Sequence, residues 1–245
     1  NDKITGKVEI NDPNAKIKLT GNASCRKGYN ICYLNADIKH LSPSALHLSD
    51  KWPYTRFNLN LTAHIEGNNF SNATGQIRIS DFSMVSPQVI YKIDSLSLNV
   101  DKTDKYKNII VTSDFGNIFM SGDINYSTIP HSIIGLIHSK LPTIPLYTNI
   151  KTKRNNDFKI EANINDSKWI NFLLGIPIEL QAPITINGEI CDKKNELQLD
   201  CQIPSFIYDN KKYKDVRLRV NTIDGILKTS VMVKKISDKG NILSL

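Results

Sequence analysis

The feature that most constrains this chain is an alternation of apolar and polar residues with a period of two. Phe57, Leu59, Leu61, Ala63 and Ile65 fall on one side of it; Asn58, Asn60, Thr62, His64 and Glu66 fall on the other. That period belongs to a β-strand, whose successive side chains point to opposite faces. It recurs in Cys32/Leu34/Ala36/Ile38, Ile77/Ile79, Leu96/Leu98/Val100 and Phe158/Ile160/Ala162/Ile164. It returns in Ile184/Ile186/Gly188/Ile190, Leu197/Leu199/Cys201/Ile203 and Val216/Leu218/Val220. Strands with one dry and one wet face build antiparallel sheets.

The connections are short and carry turn chemistry. Glu66-Gly-Asn-Asn-Phe-Ser-Asn72 and Asp192-Lys-Lys-Asn195 are rich in residues that tolerate tight backbones. A turn at Lys193-Lys194 places residue 190 opposite 197, 188 opposite 199 and 186 opposite 201, all on one face. Three helical insertions are predicted. Ser42 with Pro43 opens one near 42–48, Pro130 opens a second near 130–141, and Asp166 caps a third near 166–174. The class is mainly β, and residues 1–245 read as one continuous segment, with both ends resembling cuts from a longer protein.

At 245 residues the chain can bury a core, and its net charge of +7 is spread along the sequence rather than clustered. Scattered lysines give solubility, whereas a nucleic-acid binder gathers arginines among exposed aromatics; no nucleic-acid partner is expected. No apolar run reaches the eighteen residues of a membrane span. The chain has no G-x-S-x-G elbow, no phosphate-cradling glycine loop and no H-E-x-x-H, so no enzyme, cofactor or metal is expected. His131 and His138 share a helical face, with no carboxylate or cysteine at ligand spacing.

With a four-residue loop at Lys27–Asn30, Cys25 lies opposite Cys32, and a cross-strand disulfide is geometrically allowed in an oxidising compartment. The alternative is that both are small buried hydrophobes. Cys191 and Cys201 fall on opposite faces in the expected register and are predicted to stay free.

Several phrases together resemble the TamB family of long AsmA-like envelope proteins, most closely its Bacteroidetes branch. They are Ile65-Glu-Gly-Asn-Asn-Phe-Ser-Asn-Ala-Thr-Gly75 with Ile77-Arg-Ile-Ser-Asp-Phe82, then Tyr91-Lys-Ile-Asp-Ser-Leu-Ser-Leu98 and Val111-Thr-Ser-Asp-Phe115. Ser121-Gly-Asp-Ile-Asn-Tyr-Ser-Thr-Ile-Pro130 follows, and later Leu180–Ile190 with Leu197–Pro204. The likeness spans roughly residues 20–235 and implies a long curled antiparallel sheet, a β-taco whose groove is apolar inside. It also implies a periplasmic location within an inner-membrane-anchored protein, as a middle section of the trough.

On that likeness, phospholipid acyl chains would lie in the groove between inner and outer membranes. The residues expected to line it are Phe57, Leu59, Leu61, Ile65, Ile77, Ile79, Leu96, Leu98 and Val100, followed by Ile160, Ile164, Ile184, Ile186, Leu197, Leu199, Val216 and Leu218. A rival reading makes the chain a scaffold for outer-membrane β-barrel assembly, holding client strands, or a second copy, on exposed sheet edges. A third, a glycan-binding sandwich, needs aromatics clustered on loops, and Trp52, Tyr54, Tyr106 and Tyr126 are dispersed along the sequence.

Overall fold

A computed structural model describes residues 2–26, 28–50, 52–87, 89–104, 106–129, 131–132, 135–136, 155–168, 171, 177–222, 226, 228–236 and 242–244. The chain is mainly β. Its strands are β1 (Asp2–Asp12), β2 (Ala15–Arg26), β3 (Tyr29–Leu41), β4 (Arg56–Gly67), β5 (Thr74–Val85), β6 (Ile90–Thr103), β7 (Tyr106–Ser113) and β8 (Gly116–Asp123). Then come β9 (Asp157–Ile164), β10 (Ile178–Leu180), β11 (Ile184–Cys191), β12 (Glu196–Tyr208), β13 (Lys211–Asn221), β14 (Lys228–Ile236) and β15 (Ile242–Ser244). Hydrogen bonding orders them β1 through β9, then β11 through β15, with β10 on β12; among the described residues the path does not close. The chain divides into two compact units, Asn1–Asp101 with Ile110–Asp114, and Lys102–Ile109 with Phe115–Leu245.

In the first unit the alternation becomes a set of cross-strand rows. Val8, Leu19, Ala36, Leu61, Ile79 and Leu96 stand opposite one another from β1 to β6. The adjoining rows are Gly6, Gly21, Leu34, Ala63, Ile77, Leu98 and Ile4, Ala23, Cys32, Ile65, Gly75, Val100. The polar face between them carries Lys7, Thr20, Asn35, Thr62, Arg78 and Ser97 in register. Tyr33 stacks on His64 there, centroids 4.2 Å apart, and Gln76 donates to Asn99 at 2.5 Å.

Two β-bulges break the alternation without losing the face. The extra residues, His40 on β3 and Asp81 on β5, adopt positive φ of 56° and 54°. Asparagines on β4 hold both. Asn58 accepts from His40 N and donates to Ser83 Oγ, each at 2.9 Å, while Asn60 donates to Asp81 Oδ2 at 2.9 Å. Leu41 therefore still meets Phe57, which is in edge contact with Trp52 and tilted against Phe82. With buried Met84 and Tyr91 these aromatics close one end of the unit's core.

The second unit centres on β8, β9, β11, β12 and β13. The register foreseen at Asp192–Asn195 holds: Ile190 meets Leu197, Gly188 meets Leu199 and Ile186 meets Cys201. Phe158, Ile164, Ile184, Ile190 and Leu197 are buried. At one end a polar cluster joins three loops. Asn156, fully buried, accepts from Asn125 N at 2.8 Å and donates to Thr128 at 2.9 Å and Ser132 at 2.7 Å. Asp192 Oδ2 accepts from Asn156 N at 2.8 Å and Ser132 Oγ at 2.6 Å.

Two sequence expectations need correction. The segment at 42–48 is a single closed turn, not a helix. Leu48 N donates to Pro43 O at 2.8 Å and His47 N to Ser44 O at 3.2 Å, with His47 at φ 57°. This is the Schellman pattern, and it stops the helix after one turn. The helices expected at 130–141 and 166–174 lie largely outside the described residues.

The second correction concerns the cysteines. Arg26 faces Tyr29, so residues 27 and 28 alone connect β2 to β3, with Gly28 at φ 77°. Cys25 then faces Asn30 and Cys32 faces Ala23; both thiols are free and exposed. Cys191 and Cys201 are also free, as expected.

Two predictions follow from this geometry. Maleimide should label Cys25 and Cys32 quickly in the native protein, even under air. Cys191 is buried, and the Cys201 thiol is pushed up by burial and the neighbouring Asp200, so both should react slowly until denaturant is added. Mass spectrometry against time reads the order. At Gly75 the φ is 125°, and a Cβ would collide with the His64 carbonyl oxygen. Gly75→Ala should lower unfolding free energy by about 3 kcal/mol in urea melts, combining strain and clash.

Candidate functional site

The apolar face that the alternation creates differs between the two units. In the first, Leu59, Leu61, Ile65, Ile77, Ile79, Leu96, Leu98 and Val100 are all half-buried rather than enclosed. Phe57 alone of the expected lining residues there is buried, inside the aromatic cluster. At the β1 end of these rows Ile4 is 72% exposed, and Val8 and Ile10 are exposed with it. A contiguous apolar patch of this kind marks an interaction surface more often than scattered single residues do.

In the second unit the same face folds around a cavity of about 350 Å³. Its walls include Ile160, Ile186, Leu197, Leu199 and Leu218, five residues expected from the sequence. Ile164 and Ile184 do not reach it; they face each other in the buried core. Val216 pairs with Ile203 beyond the cavity.

One row of the sheet supplies much of this lining. Met120, Ile160, Gly188, Leu199, Val220 and Thr229 stand in register across β8, β9, β11, β12, β13 and β14. Every neighbour of Gly188 carries a side chain, and Gly188 carries none. A Cβ at 188 would meet Ile160 Cγ2 at 3.0 Å and Leu199 Cδ1 at 3.4 Å. Ile160 and Leu199 thus lean in over the glycine, and the hollow that they wall is bounded further by Phe158, Ile190 and Ile129. The volume lies at the lower end of ordinary ligand pockets.

Sequence reasoning missed Met120, Val220 and Gly188 as parts of this site. Met120 and Val220 belong to alternating strands, so their face was legible. Gly188 is one more inward position of the alternation.

The opposite, polar face of this unit carries charge. Asp200 accepts from Arg217 Nε at 3.0 Å, from Arg217 Nη2, and from Arg219 Nε at 3.2 Å. These guanidiniums, Arg217 foremost, hold the Asp200 carboxyl below the usual carboxylate range. Near the polar cluster, the ammonium of Lys107 donates to Ile124 O at 2.5 Å and lies 4.3 Å from the centre of the Tyr126 ring. Burial lowers its pKa, with Lys102 adding to the effect and Asp123 opposing it. Each of these groups is spent on a structural partner.

Among the described residues no group of three or more His, Cys, Asp and Glu gathers where a metal could bind. His131 is described and His138 lies outside the described residues, so the sequence pair is not brought to a test. No described helix is long and apolar enough to cross a membrane, which says nothing of spanning by strands. Compared with protein-family models, curated proteins and solved structures, the chain matches none.

The close contacts at Gly188 make a direct prediction. Gly188→Val should push Ile160 and Leu199 into the hollow, costing about 1–3 kcal/mol from overpacking. A small apolar fluorophore taken up by the native protein should lose its fluorescence enhancement in the variant, while far-ultraviolet circular dichroism keeps its strand signature.

Proposed function

We propose that the chain is a section of a periplasm-spanning envelope protein of the TamB type. Its apolar sheet face carries or shields phospholipid acyl chains between the inner and outer membranes. The observation that carries the reading is the cavity around Gly188, lined by Ile160, Ile186, Leu197, Leu199 and Leu218. The half-exposed rows of the first unit support it. Transferring a methylene from water to such a surface contributes about 0.8 kcal/mol, so an acyl chain gains from lying there. Sliding along an apolar face requires no nucleophile, base or cofactor, and on this reading the protein is not an enzyme.

A second reading has its own observation. β1 is an end strand of the path, eleven residues long, with no proline and exposed Ile4, Val8 and Ile10. Such an edge can pair with an incoming strand, as an assembly scaffold for outer-membrane β-barrels would.

Photo-crosslinking in cells separates the readings. A diazirine amino acid at Leu61, Leu98 or Ile186 should yield phospholipid adducts, with outward Asn60 and Thr185 giving none. Adducts with β-barrel proteins would replace the lipid reading with the scaffold. Adducts confined to the chain itself would show that the apolar face is closed core and that neither cargo lies there.

A further inference from the structure

The first unit holds a second, chemically different hollow of about 720 Å³. It is assembled from the turn between β1 and β2, the closed turn at 42–48, the loop leading into β4 and the end of β5. Asn14, Ser42, Ser44, Tyr54, Arg56 and Ser86 line it, together with apolar Ala45, Pro53, Val85 and Pro87. Among the described residues Arg56 is the one charged group in the lining, and no carboxylate accompanies it. Asp12 lies just outside, its carboxylate accepting from Asn14 N at 2.8 Å.

What sets this hollow apart is unspent hydrogen-bonding capacity. Among the described residues no ion pair or side-chain hydrogen bond engages the Arg56 guanidinium, the Asn14 amide, the Ser42 and Ser44 hydroxyls or the Tyr54 phenol. The frame around them is fixed through the backbone. Ser42, itself buried, donates its N–H to Asn14 O at 2.8 Å, and the Schellman turn that follows presents Ser44.

Tyr54 is held in an unusual way. It is 84% exposed and adopts φ 56°, a conformation that costs a bulky residue energy. Its neighbours keep it there. Trp52 packs edge-on against Phe57 with centroids 5.5 Å apart, and buried Thr55 donates its hydroxyl to Pro53 O at 3.2 Å. An aromatic ring is thus presented at the mouth of a hollow that holds one unpaired cation and several neutral polar groups.

We propose that this hollow binds the phosphate ester of a polyol. Arg56 takes the phosphate through paired N–H donors, Asn14, Ser42 and Ser44 take the hydroxyls, and the Tyr54 ring covers the carbon-bound hydrogens. The inference does not rest on the groove reading, since it uses none of the apolar-face residues. The ester has two sources with the same chemistry, a soluble sugar or glycerol phosphate and the headgroup of a lipid.

The test titrates the full chain with glycerol 3-phosphate and with inorganic phosphate by calorimetry, and with phosphatidylglycerol and phosphatidylcholine vesicles by co-sedimentation. Glycerol 3-phosphate should bind saturably and more tightly than inorganic phosphate. Arg56→Gln should weaken it about tenfold or more, the loss of a charge-assisted pair. Tyr54→Gly should weaken it too, yet keep or raise the melting temperature, because glycine adopts that φ without strain. Arg78→Gln, which removes an exposed arginine from the polar face, should change nothing.

Phosphatidylglycerol binding lost with Arg56→Gln and Tyr54→Gly would name a lipid headgroup as the source; soluble ester binding without vesicle binding would name the free compound. Absence of saturable binding, equal affinity for inorganic phosphate, or equal weakening by Arg78→Gln would each overturn the proposal. The first two outcomes reject the polyol ester, and the third reduces the site to general attraction by a basic protein.

Discussion

Cross-strand register is the constraint on which the rest of this structure depends. Because side chains alternate faces along a strand, slipping one strand by a single residue would turn its whole apolar set outward. Each strand inside the path is therefore fixed by its neighbours on both sides, and departures from strict alternation have to be compensated. The bulges at His40 and Asp81 show how. Each adds one residue where the sequence has two polar positions in succession, Lys39-His40 and Ser80-Asp81, so Leu41 and Phe82 return to the side of Ile38 and Ile79. Asn58 and Asn60 of unbulged β4 then supply hydrogen bonds that replace part of the interrupted ladder. The same register brings Ile160 and Leu199 in over Gly188, where a Cβ would meet them at 3.0 Å and 3.4 Å.

Period-two patterning is blind to slips of two residues, and this divides what the sequence disclosed from what it concealed. For β11 and β12 the turn Asp192–Asn195 left a single sensible pairing, and the pairing was read correctly. For β2 and β3 two pairings keep every apolar side chain inward: Cys25 opposite Cys32, or Cys25 opposite Asn30. The choice falls to the turn, where Gly28 at φ 77° permits the shorter connection, and the disulfide geometry disappears with it. The closed turn at 42–48 was half legible. Ser42-Pro43 pointed to a helix, but the segment closes after one turn at a histidine in the left-handed conformation, where composition points to glycine or asparagine. The polar hollow at Arg56 was not legible at all, since Asn14, Ser44 and Tyr54 come from separate loops whose proximity is a tertiary fact. Tyr54 looked isolated along the chain and is not isolated in space.

An apolar face left half-exposed has a thermodynamic consequence. Burying one leucine or isoleucine fully contributes roughly 1.5–3 kcal/mol, and the rows through Leu61, Ile77 and Leu98 realise only part of that. The deficit is offset at one end of the first unit, where Phe57, Met84 and Tyr91 are buried with an aromatic neighbour on each side of the Phe57 ring. Stability is thus concentrated away from the rows that stay open. A face kept partly uncovered by a core that closes elsewhere is suited to a flexible, featureless apolar partner, because such a partner asks for area rather than for a specific shape.

The second unit solves a related problem with polar groups. The segment after β8 has to be held against the end of the sheet so that Ile129 can form a wall of the Gly188 cavity. Apolar packing alone would tolerate small displacements of that segment along the face. Asn156 does not, because its amide is shared among Asn125, Thr128 and Ser132, and Asp192 binds Ser132 and the Asn156 backbone from the opposite loop. Moving the segment by one residue would strand several buried donors at once, each at a cost of about 1–3 kcal/mol. Among the described residues Asp192 Oδ1 is buried without a partner. What the cluster supplies is a single position for Ile129, and with it for one wall of the cavity.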